Sequence, residues 1–171
     1  RAGESKVDGR RERDRSVESA RSRSDWVCLN VRLKMNPYLG AESLIKVGVE
    51  VVLESDSPDK TRGVVFEDDG TTGFFYARDH TKPEHLWVDA LHIYDVEGVL
   101  DRDRPSKIKI LWTRDFAAAA LLVNQRPQAI FHFELCCGYA EDPFPDNCMA
   151  PGWTHAKLEP SLKSLFFPES E

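Results

Sequence analysis

The sequence predicts a mainly β fold: an antiparallel meander of about six to eight strands curled into a sandwich or partial barrel, with a short C-terminal helix. Three observations predict it. Short apolar runs with period-two alternation recur from Val47 onward. Gly, Pro and Asp clusters punctuate them. Helical spacing of apolar residues is confined to the C-terminal stretch.

In chain order, Val49, Val51 and Leu53 alternate with Glu50, Val52 and Glu54, and a turn follows around Pro58. The runs 64–67 and 74–77 flank Asp68-Asp69-Gly70-Thr71-Thr72-Gly73, a hairpin loop whose two glycines can supply positive φ. Leu86 to Val96 reads as the next strand and ends at Gly98. Ile108, Ile110 and Trp112 alternate with Lys107, Lys109 and Leu111. Phe116 to Val123 follows after Thr113-Arg114-Asp115. Its alanines favour helix, but short turns on both sides predict a strand. In 129–135, Ala129, Phe131, Phe133 and Leu135 alternate with Ile130, His132 and Glu134, which predicts one buried and one solvated face. Residues 138–157 are rich in Pro and Gly and read as a long loop. Leu158, Leu162, Leu165 and Phe166 form one apolar helical face, with Pro160 in the first turn. An α+β arrangement is the alternative, if the alanine run or residues 41–47 form a longer helix.

Residues 1–34 read as a disordered polar leader or an upstream extension, and residues 35–171 as a single β-rich domain beginning at Met35. Val27, Leu29, Val31 and Leu33 alternate and are the leader's one candidate strand. Residues 1–25 hold eight Lys/Arg and six Asp/Glu, which leaves 15 and 23 for residues 26–171 and a net charge of −8 there. Such a body repels nucleic acid and anionic membrane and suits a basic partner. No apolar run approaches the ~20 residues of a membrane span. The four cysteines, Cys28, Cys136, Cys137 and Cys148, form no CxxC pair. They read as free thiols in a reducing compartment, so the expected location is cytoplasmic.

Several segments in order are similar to a known family. They are Gly63 to Gly70, Thr72 to Ala77, Asp89-Ala90-Leu91-His92-Ile93-Tyr94, Asp101 to Pro105 and Ile108 to Trp112. Together they resemble a family of small bacterial proteins known only as a domain of unknown function, number 2251. The resemblance covers about residues 36–155. It implies a bacterial protein with a compact domain and carries no activity.

The chemistry-bearing residues form no known catalytic pattern. There is no GxSxG elbow, GxGxxG turn or phosphate loop. Glu67, Asp68 and Asp69 lack the alternating ligand pattern of a Ca²⁺ loop and read as a hairpin tip. Cys136, Cys137, Cys148 and His155 are spaced too widely for a zinc motif, so no metal and no cofactor is assigned. Phe144 and Trp153 lie in a loop where no alternation demands burial, and exposed aromatics rimmed by acids mark interfaces. The function expected is therefore a non-enzymatic protein-binding module, immunity- or antitoxin-like. Asp68, Asp69, Phe144 and Trp153 are its contact residues, and its partner is an unknown, basic protein. The alternative is a small hydrolase or ligand-binding enzyme with a carboxylate–histidine cleft built from Glu67, Asp89 and His92.

Overall fold

The structure, a computed structural model, describes residues 36–167. The leader and its candidate strand at 27–33 lie outside the described residues. Ten strands form two sheets there, more than the six to eight expected. The larger sheet runs β1 (Tyr38–Ile45), β6 (Ser106–Trp112), β7 (Ala118–Val123), β8 (Arg126–His132), β9 (Cys137–Ala140), β10 (Thr154–Lys157). The smaller runs β2 (Val51–Asp56), β3 (Arg62–Asp68), β4 (Thr72–Asp79), β5 (Trp87–Asp95). All pairings are antiparallel except β9 with β10. Neither sheet closes into a barrel. No helix among the described residues is long and apolar enough to cross a membrane.

Period-two alternation delivers one face of each sheet to a shared core. Val64, Phe66, Phe75, Ala77 and Leu91 come from the small sheet, and Ile108, Ile110, Trp112, Leu121 and Phe131 from the large one. The Phe75 and Phe131 rings stack with centroids 5.2 Å apart, which ties the layers at their centre. Trp112 donates its indole N–H to Ser55 Oγ at 2.9 Å, which satisfies the one polar atom of that buried ring.

Residues 41–47 and the alanine run are not helical. Leu44 and its neighbours in β1 pair with β6, and Ala118 to Ala120 lie in β7 between β6 and β8. The strand ends at His132, and its expected solvated face is covered up to there; beyond it Glu134 is exposed as expected, whereas Leu135, expected on the buried face, is 51% exposed. Ile130 is buried with Leu111, Ala120 and Leu122 under Leu158, Leu165 and Phe166, and His132 is buried too. The small alanines let the C-terminal segment approach this face closely. Its helix, α1 (Pro160–Lys163), is a single turn, shorter than the apolar spacing suggested.

At the β3–β4 hairpin, Gly70 has φ 90° but Gly73 does not share it. Gly73 lies within β4, where a Cβ would sit 2.7 Å from Tyr94 Cζ. The ring of Tyr94, not turn geometry, is what requires glycine at this position.

Candidate functional site

The outward face of the small sheet is built by alternation and register. Pairing places Val52 beside Glu67, Phe74 and His92 in one row. The next row holds Glu54, Val65, Tyr76 and Ala90, and the third Asp56, Gly63, Arg78 and Trp87. Aromatic rings run continuously across it. Trp87 meets Tyr76 edge-on at 5.6 Å, Tyr76 stacks with Phe74 at 5.8 Å, and Phe74 meets His92 edge-on at 5.5 Å. Phe144, from the loop after β9, extends the ladder by an edge contact with His92 at 5.9 Å. That loop is anchored here because His92 N–H donates to Phe144 O at 2.9 Å.

Large apolar groups are left open on this face. Val52 is 55% exposed, Trp87 42%, Phe144 53% and Met149 55%. A shallow groove of about 380 Å³ is lined by Val52, Glu54, Val65, Tyr76, Trp87 and Met149, with Glu67 on its wall. A second, of about 400 Å³, lies between Phe74, His92, Asp95, Asp142 and Phe144. The face is anionic. Arg78 is held at 3.2 Å by both Glu54 and Asp56 while lying 5.5 Å over Trp87, and Lys60 lies 3.8 Å from Asp56 at the margin. Burial, and then the charge of Glu67, pushes the Tyr76 hydroxyl up to about 12, so it remains a neutral donor.

Behind this sheet, in the interior, is a second cluster. Asp89 shares inward parity with Leu91 and Ile93 on β5 and is fully buried. Both of its carboxylate oxygens lie 2.9 Å from His155 Nε2. His155 is carried by β10, opposite Gly138 of β9. At Gly138 a Cβ would lie 3.0 Å from Asp89 Oδ2, so glycine makes room for the carboxylate. The other ring nitrogen, Nδ1, is 2.6 Å from Pro145 O and donates to it. Cys148 completes the group, and one ligand atom from each of the three residues lies within 4.8 Å of the others. Burial raises the Asp89 carboxyl above its ordinary range, against the lowering effect of His155. Burial, reinforced by the Asp89 charge, pushes the Cys148 thiol up to about 11. A thiol held protonated is the reverse of an activated nucleophile.

The residues singled out from sequence are dispersed. Glu67 and His92 point outward and Asp89 inward, so the expected carboxylate–histidine cleft does not assemble. His92 pairs instead with Asp95 at 3.1 Å, and Asp89 with His155. Asp68, expected at a contact surface, is 1% exposed. Its carboxylate accepts the Gly48 and Gly70 N–H groups and the Tyr94 hydroxyl at 2.8–2.9 Å, so it serves the hairpin's interior. Asp69 is exposed at the tip and accepts from Thr71 and Thr72. Trp153 is partly buried, edge-on to Phe131 and Phe133 at 5.9 and 5.8 Å, and clamps the loop to the core. Phe144 is exposed on the open face. Sequence reasoning missed the ladder itself, although Phe74, Tyr76 and His92 alternate with inward residues.

The DUF2251 family, described as an uncharacterized protein conserved in bacteria, matches residues 45–167. The chain belongs to this family. The match covers β2 to β10 and the C-terminal segment and includes only the last residue of β1. An uncharacterized protein of Haemophilus influenzae is 36% identical over 95 residues, which is 56% of this chain and 59% of that protein. The chain thus matches somewhat over half the length of this relative. No solved structure matches the chain.

Proposed function

We propose that this DUF2251 protein is a non-enzymatic binding module that receives a basic protein segment on the outward face of β2–β5, in the manner of an immunity or antitoxin-like inhibitor. The observation that carries this reading is the unbroken ladder Trp87–Tyr76–Phe74–His92–Phe144 with carboxylates beside it. Contiguous open apolar groups of this kind mark interfaces. Trp and Tyr offer large contact areas with few rotors to freeze, and their faces attract Arg and Lys. Glu54, Glu67, Asp95 and Asp142 add attraction for a cation and speed encounter. The loop after β9 contributes Phe144 and Met149, and the exposed Asp69 at the hairpin tip adds a further acidic group. An enzymatic reading through Glu67, Asp89 and His92 finds no support in a geometry that splits them between two faces.

Peptide display panned on the purified full chain tests the reading. Enriched sequences should place Arg or Lys next to an aromatic or aliphatic residue. Their binding should weaken at least tenfold in Trp87→Ala and in Glu54→Lys/Glu67→Lys, and weaken as salt rises. Enrichment without basic residues, or binding indifferent to both variants, would overturn it.

A further inference from the structure

We propose that Asp89, Cys148 and His155 form a binding site for one Zn²⁺ ion, with a fourth coordination position open toward the cleft of the 146–155 loop. The three side chains offer one carboxylate oxygen, one thiol sulfur and one imidazole nitrogen within 4.8 Å of one another, from β5, the loop and β10. Tetrahedral zinc, at about 2.0–2.3 Å from O, N and S, sets its ligands about 3.3–3.6 Å apart. The Asp89–His155 separation of 2.9 Å need open by only a few tenths of an ångström, and the Cys148 sulfur, within 4.8 Å of the other two ligand atoms, closes in by about an ångström at most through its side-chain rotor.

Two further features are those of a metal site. Pro145 O takes the Nδ1 proton of His155, which fixes the ring and aims Nε2 at Asp89, with a proton between the two that a metal ion would displace. A carbonyl behind the ligating histidine is the usual outer support of such a site. Asp89 is a fully buried carboxylate whose ion pair is with His155. When the shared proton leaves, a divalent cation takes its place in compensating the buried carboxylate. The thiol and imidazole together favour zinc, cobalt or another soft ion over Mg²⁺ or Ca²⁺, which prefer all-oxygen shells. The cleft, of about 530 Å³ and lined by residues 146–155, reaches both Cys148 and His155 and gives the ion a path from solvent. Binding forms Zn–O, Zn–N and Zn–S bonds and releases the Cys148 proton and the proton shared by Asp89 and His155 to water.

Cobalt(II) titration of the full chain, reduced with a phosphine and free of zinc, tests this. One equivalent should produce a near-ultraviolet thiolate-to-cobalt band and the intense visible bands of four-coordinate cobalt, both abolished by one equivalent of Zn²⁺. Cys148→Ser should lose the thiolate band, and His155→Ala should weaken binding at least a hundredfold. Cys28→Ser and Cys136→Ser should keep both signals. Zn²⁺ should raise the melting temperature of the wild type but not of Cys148→Ser, a near-isosteric change whose fold circular dichroism can verify. No thiolate band in the wild type, or a band that survives Cys148→Ser or disappears in Cys136→Ser, would overturn the assignment.

Discussion

Both carboxylate oxygens of Asp89 lie 2.9 Å from Nε2 of His155, although 66 positions separate the two residues in the chain. The contact closes one end of the sandwich by joining the small sheet to the terminal, parallel-paired strand of the large one.

Removing one member of that pair strands the other. Asp89→Ala leaves the His155 Nε2 buried and unpaired and should cost about 3–5 kcal/mol. Asp89→Asn keeps the shape and one hydrogen bond and should cost less. Urea denaturation of the two variants in metal-free buffer measures this, and a near-neutral Asp89→Ala would mean that the pair adds nothing net.

At the β3–β4 hairpin, Gly70 and Gly73 should respond for different reasons. Gly70→Ala should cost about 1 kcal/mol through its positive φ, since the nearest atoms to a Cβ are 3.8 Å away. Gly73→Ala should cost more, through collision with Tyr94. In a Tyr94→Leu background the Gly73→Ala penalty should shrink. Additive penalties in that double-mutant cycle would show that the ring is not the cause.

Asp68 and Asp69 are adjacent acids with opposite fates. Asp68→Ala abandons two backbone N–H groups and the Tyr94 hydroxyl in the interior and should cost about 2–4 kcal/mol. Asp69→Ala, at the exposed tip, should cost much less. Equal losses in thermal melts would contradict the buried placement of Asp68.

His132 should make stability fall in mild acid. Its Nδ1 accepts the Leu135 N–H at 3.4 Å, and burial holds its pKa below the ordinary 6.5, opposing Glu134 and Asp115. The unfolded chain therefore takes up this proton at a higher pH than the folded one. The contribution of neutral His132 is complete above about pH 6.5 and is lost as pH falls toward the folded value. His132→Asn, which keeps an acceptor, should flatten that part of the stability–pH curve relative to wild type. Parallel curves would refute it.

The strands were legible where alternation is strong. Ile108, Ile110 and Trp112, the 64–67 and 74–77 hairpin, and even Ala118 to Ala120 of the alanine run lie in strands as read, although Phe116 and Ala117 belong to the preceding turn. What covers each sheet was not legible, because it depends on contacts distant in sequence. The face that carries Ile130 looked solvated until Leu158, Leu165 and Phe166 folded over it. The parallel β9–β10 pair was concealed in a Pro- and Gly-rich stretch that reads as loop, since two four-residue strands carry little periodicity. Half of the interior site was in principle available. Asp89 shares inward parity with Leu91 and Ile93, and a carboxylate on a buried face demands a partner. That partner, His155, lay in the stretch read as loop.

Recognition of a basic protein by the outward face of β2–β5, as proposed, is open to cross-linking in living cells. A photo-crosslinking residue at position 52, on this face, should yield an adduct with a basic protein. The adduct should disappear on Glu54→Lys/Glu67→Lys and on Trp87→Ala, and should persist in Cys148→Ser. The same residue at position 44, exposed on β1 of the other sheet, should give none. Equal adducts from positions 44 and 52, or an adduct from position 52 that survives the charge reversal, would show that this face is not the binding surface.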